Sequence, residues 1–203
     1  MSGMSVESLL RQGSGLWRGG GGLYQAPGSG IATGFPSLDR HLTGCGWPRG
    51  GISEIISDRP GGGMALLMPA LATLSREAKQ IVLVSPPYIP YAPGFVLNGV
   101  DLTRLLLVNS QDEKECLWVL EQVLGAGCGA ALCWPRRLSR IALRRLQLAA
   151  GRGGGAGFLL RRPQLTGESS AVALRLRVAA TGNAVDILKR RGGWPVEGVR
   201  LDA

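Results

Sequence analysis

The chain has almost no histidine, few cysteines and no long apolar run, and each shortage closes a class of function. His41 is the one histidine among 203 residues, and the four cysteines at 45, 116, 128 and 133 include no Cys-x-x-Cys pair. A structural zinc site needs a closely spaced set of thiolates and imidazoles, which this set does not supply. The thiols read instead as small apolar or surface side chains in a reducing compartment. Apolar runs such as Ile81 to Val84 and Leu105 to Val108 are strand-sized, far short of the roughly 20 residues that a membrane-spanning helix requires. The opening stretch MSGMSVESLLRQGSG lacks the basic start and unbroken apolar core of a secretory signal, so a cytoplasmic protein without membrane contact is expected.

Acidic residues are scarce as well. Asp and Glu number 14 against 23 Lys and Arg, a formal charge of +9, and the excess is local. From Arg136 to Arg191, twelve Arg and one Lys stand against only Glu168 and Asp186. Such a block attracts nucleic acid or an acidic protein surface, or simply solvates a face.

What is present alternates strand and helix. Residues 1–30 combine Leu9, Leu10, Leu16 and Trp17 with the run Gly19 to Gly22, and are expected to form a flexible segment. Ordered structure is expected from near Thr33, with Ser37 as a helix cap. Ile52 to Ile56 reads as a strand, Ser57 to Gly63 as a Gly-rich turn, and Met64 to Glu77 as a helix with Leu67, Leu71 and Leu74 on one face. Pro69 interrupts that helix. Ile81 to Ser85 is a strand, ended by PPYIPYAP, where four prolines argue against regular structure. Leu105 to Val108 and Ala130 to Trp134 are further strands around a helix from Asp112 to Leu124. An Arg-lined helix over Leu138 to Ala150 places Arg137, Arg140 and Arg144 opposite Ile141, Leu146 and Ala149. After a strand at Gly157 to Leu160, Leu174 to Val178 and Val185 to Lys189 form a hairpin about Thr181-Gly182-Asn183. The pattern predicts an α/β fold: a mainly parallel sheet flanked by helices, with a C-terminal antiparallel hairpin.

A strand that runs through a Gly-rich turn into a helix is where a phosphate-binding loop sits. Gripping a nucleotide there takes backbone N–H groups, a Lys, and a hydroxyl for magnesium. The degenerate loop Ser57-Asp58-Arg59-Pro60-Gly61-Gly62-Gly63-Met64 offers Ser57, Gly63 and Met64 where Gly, Lys and Ser/Thr belong. Asp58 repels phosphate, Pro60 lacks an N–H, and Arg59 is expected on the opposite side of the turn from the missing Lys. The loop therefore points away from catalysis and from any cofactor or metal.

Thr33-Gly34-Phe35-Pro36-Ser37-Leu38-Asp39, Gly46-Trp47-Pro48-Arg49-Gly50 and Ile52-Ser53-Glu54-Ile55 resemble the approach to the ATP loop of the recombinase RecA. The resemblance continues through Gly99-Val100-Asp101-Leu102, Ala130-Ala131-Leu132 and the final hairpin, and implies a RecA-like three-layer domain over residues 31–193 with a tail at 194–203. It also implies that the catalytic Glu and metal-binding Asp are gone, with Pro86-Pro87-Tyr88 and Trp134 in their places. A narrower resemblance lies in GFPSLDRHLTGCGWPRGGISEI, LLMPALATLS, VSPPYIPYAPGF, LWVLEQVL, LRRLQLAA and ILKRRGG, which are similar to the ImuA proteins. These are SOS-induced accessory factors of error-prone translesion synthesis, related to the SulA cell-division inhibitors. This resemblance implies a non-catalytic adaptor that binds an ImuB-type inactive polymerase of the Y family. Through that partner it implies contact with an error-prone replicative polymerase, with RecA, or with DNA non-specifically. The alternative is a SulA-type inhibitor of the tubulin-like division protein.

Three surfaces are candidates for contact. Tyr88 and Tyr91 in the proline loop are rigid aromatic anchors, for a partner or for plugging the empty pocket, or the loop merely ends its strand. Arg137, Arg140 and Arg144, with Arg136, Arg161 and Arg162, suit phosphates or an acidic partner, or a solvated face. Lys189, Arg190, Arg191 and Trp194 combine cations with an aromatic near the C-terminus, or form a charged strand end. Trp47 and Trp118 are expected in the core.

Overall fold

The computed structural model describes residues 29–59, 61–163 and 172–202. The segment 1–30, expected to be flexible, lies outside the described residues except for its last two. In chain order the elements are α1 (Pro36–Asp39), β1 (Gly51–Ile56), α2 (Met64–Arg76), β2 (Ile81–Val84), α3 (Ala92–Leu97), a 3-10 turn (Leu102–Arg104) and β3 (Leu105–Val108). There follow α4 (Glu113–Gly125), β4 (Ala130–Cys133), α5 (Arg140–Gly153), β5 (Ala156–Arg161), β6 (Leu174–Val178), β7 (Ala184–Arg190) and β8 (Val196–Arg200).

The eight strands form one sheet in the order β3-β2-β4-β5-β1-β6-β7-β8. The first six in that order are parallel, and β7 and β8 are antiparallel additions. Alternating strand residues feed two apolar layers. Ile55, Leu83, Leu132, Phe158 and Leu160 pack on the side of α1, α2 and α3. Ile52, Val82, Val84, Ala131 and Leu159 pack beneath α4 and α5. Both faces of the inner strands β2 and β4 are therefore covered, which is why their sequences run apolar without alternation. This is the expected α/β arrangement of a mainly parallel sheet between helices with a late antiparallel hairpin. Among the described residues no helix is long and apolar enough to cross a membrane.

Local chemistry explains the element ends. Asp112 caps α4 by accepting a hydrogen bond from Lys114 N–H at 3.1 Å, and Ser139 caps α5 by accepting from Ala142 N–H at 3.1 Å. Leu67, Leu71 and Leu74 of α2 are fully buried, and the helix continues through Pro69. Trp47 is in the core, edge-on to Phe158 with ring centroids 5.2 Å apart.

Several expectations change. Ser37, expected as a helix cap, lies inside α1, whose N-cap is Phe35, and its Oγ donates to Arg200 carbonyl at 2.5 Å. The proline loop gives way to α3 at Ala92, because Pro93 falls in the first turn, where a missing N–H breaks no helical bond. The helix expected over Leu138 to Ala150 starts at Arg140, so Arg137 precedes it and shares no helical face with Arg140 and Arg144. Its Ile141 is exposed, not buried. Trp118 of α4 is 56% exposed, since helical spacing turns it away from the face that carries Cys116, Leu120 and Leu124. Residues 194–203, read as a tail, contain β8, which pairs with β7 and buries Val199.

The middle of the sheet holds an ionic cluster. Glu54 on β1 lies directly opposite Arg175 on β6 and diagonal to Arg161 on β5. Arg161 Nη1 donates to Glu54 Oε1 at 2.8 Å, and Arg175 Nε donates to Glu54 Oε2 at 2.7 Å. All three side chains are at most 10% exposed. Arg161, expected on a binding surface, is thus a structural cation, and so is Arg175 of the hairpin. Deleting the shared carboxylate strands two buried cations. Glu54→Ala should lower unfolding free energy by roughly 3–5 kcal/mol in urea denaturation, whereas Glu54→Leu combined with Arg161→Met and Arg175→Met should recover most of it.

Burial also acts on the thiols, none of which is in a disulfide. It pushes Cys133 up to about 12 and Cys128 up to about 11, against 9.0 in the open chain. A raised thiol pKa favours the neutral form in the folded state, so its stabilisation is complete below pH 9 and is lost as pH rises towards the folded value. Between pH 9 and about 12 the stability contributed by Cys133 should fall by roughly 1.4 kcal/mol per pH unit. Thermal melts of Cys133→Ala across that range should show a correspondingly flatter decline.

Candidate functional site

The C-terminal ends of β1, β4 and β5 and the loop after β2 surround a cavity of about 460 Å³. Its walls are Ser57, Arg59, Gly61 and Gly62 of the first loop, Pro87 and Tyr88 after β2, Trp134 to Arg136 after β4, and Leu160 to Arg162 of β5. Open parallel sheets place ligands at this end of their strands.

The loop itself is closed on its own atoms. Ser57 Oγ accepts from Arg59 N–H at 3.3 Å, Arg59 carbonyl accepts from Gly62 N–H at 2.9 Å, and Gly61 carbonyl accepts from Met64 N–H at 3.3 Å. The N–H groups of Arg59, Gly62 and Met64 are therefore spent inside the loop. Ser57 fills its centre: a Cβ on Gly62 would lie 1.9 Å from Ser57 Oγ. Gly63, where a lysine would be needed, has φ +92° and a Cβ there would meet Ile55 Cγ2 at 2.6 Å. The missing lysine is thus a matter of backbone path as well as of residue identity. Trp134 stands just past β4, half-buried, with an Nε1 that has no hydrogen-bond partner among the described residues. Among the described residues no cluster of His, Cys, Asp and Glu is arranged to hold a metal ion.

Arg59 departs from expectation. Expected only on the opposite side of the turn from the missing Lys, it is exposed and lines the cavity with Arg136 and Arg162. The sequence carries a signal for the latter two, since each follows within three residues of the end of a parallel strand.

Beside this cavity runs an apolar groove of about 270 Å³ between α2, α3 and the proline loop, with Met64, Met68, Pro90, Tyr91 and Phe95 in its walls. Tyr88 and Trp134 border both spaces. The strand-to-loop exit is set by Ser85, whose φ of +45° turns the chain. Ser85 Oγ accepts from Ser110 N–H at 2.8 Å and donates to Ser110 carbonyl at 3.0 Å, which holds the bend. Beyond it Tyr88, Ile89 and Tyr91 are exposed, and α3 adds exposed Val96 and Leu97.

The other candidates divide by position. Arg137 and Arg140 lie near the cavity end, and Arg144 one turn along α5; all three are exposed. Arg137 N–H donates to Glu113 Oε1 at 2.6 Å, which anchors this corner to α4. Lys189, Arg190, Arg191 and Trp194 occupy the far end, because β7 runs antiparallel to β6 and so to β1. Arg190 is committed to backbone: it donates to His41 carbonyl and, at 2.9 Å, to Trp194 carbonyl. Burial lowers the Lys189 pKa, with Arg175 and Arg191 adding to the effect. Trp194 is exposed.

No family model matches this sequence. Among curated proteins it is similar to Protein ImuA of Caulobacter vibrioides, 32% identical over 178 residues that cover 84% of this chain and 73% of that protein, with the same figures in a second strain. It is also similar to the cell division inhibitor SulA of Photorhabdus laumondii, 27% identical over 111 residues, or 54% of this chain and 63% of the relative. Among solved structures, SulA from Pseudomonas aeruginosa aligns with a TM-score of 0.47 at 29% identity, covering 55% of this chain and 97% of the other.

The geometry of the loop sets a direct test. Gly63→Lys should not confer binding of ATP with magnesium in calorimetry. It should also cost about 1–3 kcal/mol of stability, from the left-handed backbone and the contact with Ile55. A lysine variant of unchanged stability that binds ATP would refute this account.

Proposed function

The chain belongs to the ImuA family, and on that premise we propose that it is a non-catalytic adaptor of SOS-induced, error-prone translesion DNA synthesis. Its direct partner in this reading is an ImuB-type inactive polymerase of the Y family. Contacts with an error-prone replicative polymerase, with RecA and with DNA follow through the same assembly. The core is read as a RecA-like domain emptied of its catalytic groups: Gly63, Met64, Pro86-Pro87 and Trp134 stand where loop Lys, loop hydroxyl, Glu and Asp would act. Among the described residues the ionisable walls of the cavity are arginines and a tyrosine, which do not replace those groups.

One observation carries the adaptor reading above the others. Tyr91 and Ile89, in the walls of a groove that is itself apolar, are 71% and 95% exposed, and α3, which supplies Phe95 to that groove, adds Leu97 at 85%. Large exposed apolar side chains clustered on rigid elements mark protein-binding surfaces. The prolines and the short α3 fix these side chains in place, which lowers the entropy lost on binding.

A SulA-type role in division is the second reading, favoured by the match to the division inhibitor over 111 residues. The longer match to ImuA, over 178 residues, ranks it below the adaptor. The two part in a simple experiment. Co-expressed with an ImuB-type protein, the chain should co-purify with it, and Tyr91→Ala with Leu97→Ala should weaken that complex at least tenfold (about 1.4 kcal/mol) without lowering the melting temperature. No complex, together with filamentous cells on overexpression, would instead select the division inhibitor.

A further inference from the structure

The cavity beside the emptied loop has lost the equipment for a nucleoside triphosphate and a metal ion, yet it has kept a strong positive charge. Arg59 comes from the loop after β1, Arg136 from the turn after β4 and Arg162 from the turn after β5. All three are exposed, and none forms an ion pair or side-chain hydrogen bond within the described residues. Among the described residues no carboxylate is in the cavity walls, and the nearby Glu54 already serves Arg161 and Arg175. Guanidiniums brought together from three separate loops repel one another, exposed Asp58 beside Arg59 in the chain offsets at most one of the three charges, and an anionic ligand relieves the remaining repulsion.

The character of the anion follows from the other walls. Tyr88, 60% exposed, offers an aromatic face at the rim, and Trp134 offers a second ring deeper in the wall. A volume of about 460 Å³ lies in the range that takes a nucleotide-sized ligand. A free triphosphate concentrates its charge at one point and relies on a nest of backbone N–H groups and a metal ion. Here the loop donors at Arg59, Gly62 and Met64 are bonded internally. A single strand of nucleic acid asks for something different: one cation per phosphodiester, spread along a path, and an aromatic surface for an unstacked base. The exposed Arg137 and Arg140 next to Arg136 extend the path out of the cavity.

We propose that this cavity is a metal-independent binding site for single-stranded nucleic acid, in which Arg59, Arg136 and Arg162 hold successive phosphodiesters and a base stacks on Tyr88. The site shares Tyr88 and Trp134 with the apolar groove assigned to the protein partner, but Arg59, Arg136 and Arg162 line the cavity alone and Tyr91 the groove alone, so variants at these unshared residues let either assignment fail alone.

The test uses the full chain, a fluorescein-labelled fifteen-nucleotide oligo-dT and anisotropy in EDTA over a series of KCl concentrations. Three phosphate contacts predict a slope of log K against log salt of about −2, at roughly −0.7 per phosphate for single strands. Each of Arg59→Ala, Arg136→Ala and Arg162→Ala should flatten the slope by about 0.7, and the triple variant should lose at least a hundredfold in affinity with an unchanged melting temperature. Tyr88→Ala should weaken binding at least fivefold, and Tyr88→Phe should restore it. Several results overturn the proposal: no binding at low salt, binding that requires magnesium, or duplex DNA held as tightly as the single strand. Binding that survives the triple variant but falls with Arg144→Ala would move the contact to α5. ADP or ATP displacing the oligonucleotide at micromolar concentration would identify a free nucleotide as the ligand instead.

Discussion

The carboxylate of Glu54, held between the guanidiniums of Arg161 and Arg175, ties together the three strands on which the rest of the architecture depends. β1 is the centre of that trio, with β5 on one side and β6 on the other. Backbone pairing fixes their spacing, but a one-residue slip would carry each side chain to the opposite face. A slip would leave Glu54 buried without its cations, a cost of several kcal/mol. The cluster therefore acts as a register pin as much as a source of stability. It sits where β1 and β5 approach their C-terminal ends, and Ser57 N–H donates to Arg161 carbonyl at 3.0 Å just beyond it. The degenerate loop and the Arg162 turn are delivered to the same cavity by that pin.

From this frame two surfaces diverge in chemistry at one end of the sheet. On the α2 and α3 side the walls are Met, Pro, Tyr and Phe, and exposed aliphatic residues extend them. On the β4 and β5 side the walls are arginines. Tyr88 and Trp134 stand between the two. A chain that bridges a protein partner and a nucleic-acid strand gains from this adjacency, because binding at one surface raises the local concentration of the other partner. The opposite end of the sheet is built differently. There Arg190 braces β7 against the His41 turn and the Trp194 loop, so part of the basic C-terminal stretch works as structure.

Much of this was legible from residue order. The strands at Ile52–Ile56, Ile81–Val84 and Leu105–Val108 were visible as short apolar runs, and the hairpin as an alternation about Thr181-Gly182-Asn183. The helix at Ala92–Leu97 was masked by four prolines, one of which is harmless in a first turn. The strand Val196–Arg200 was masked by weak alternation: Val196 and Val199 are separated by Gly198 at φ +65°, which breaks the period of two. Trp118 and Ile141 misled because large apolar residues are assigned to the core by default, whereas each here projects from the solvent side of a helix that buries only its other face.

Residue order by itself determined the layered α/β plan and a Gly-rich loop without lysine after β1, because both depend on local facts: periodicity, and which side chain follows which glycine. Only the tertiary structure decided which arginines are structural and which are free. Arg161 and Arg175 find Glu54 across separations of 107 and 121 residues, while Arg59, Arg136 and Arg162 converge from three loops with no partner carboxylate among the described residues. A periodic pattern shows which face a side chain takes within its own strand or helix. It does not show which strands become neighbours, and for a buried charge the neighbour settles whether it is neutralised or left to bind something else.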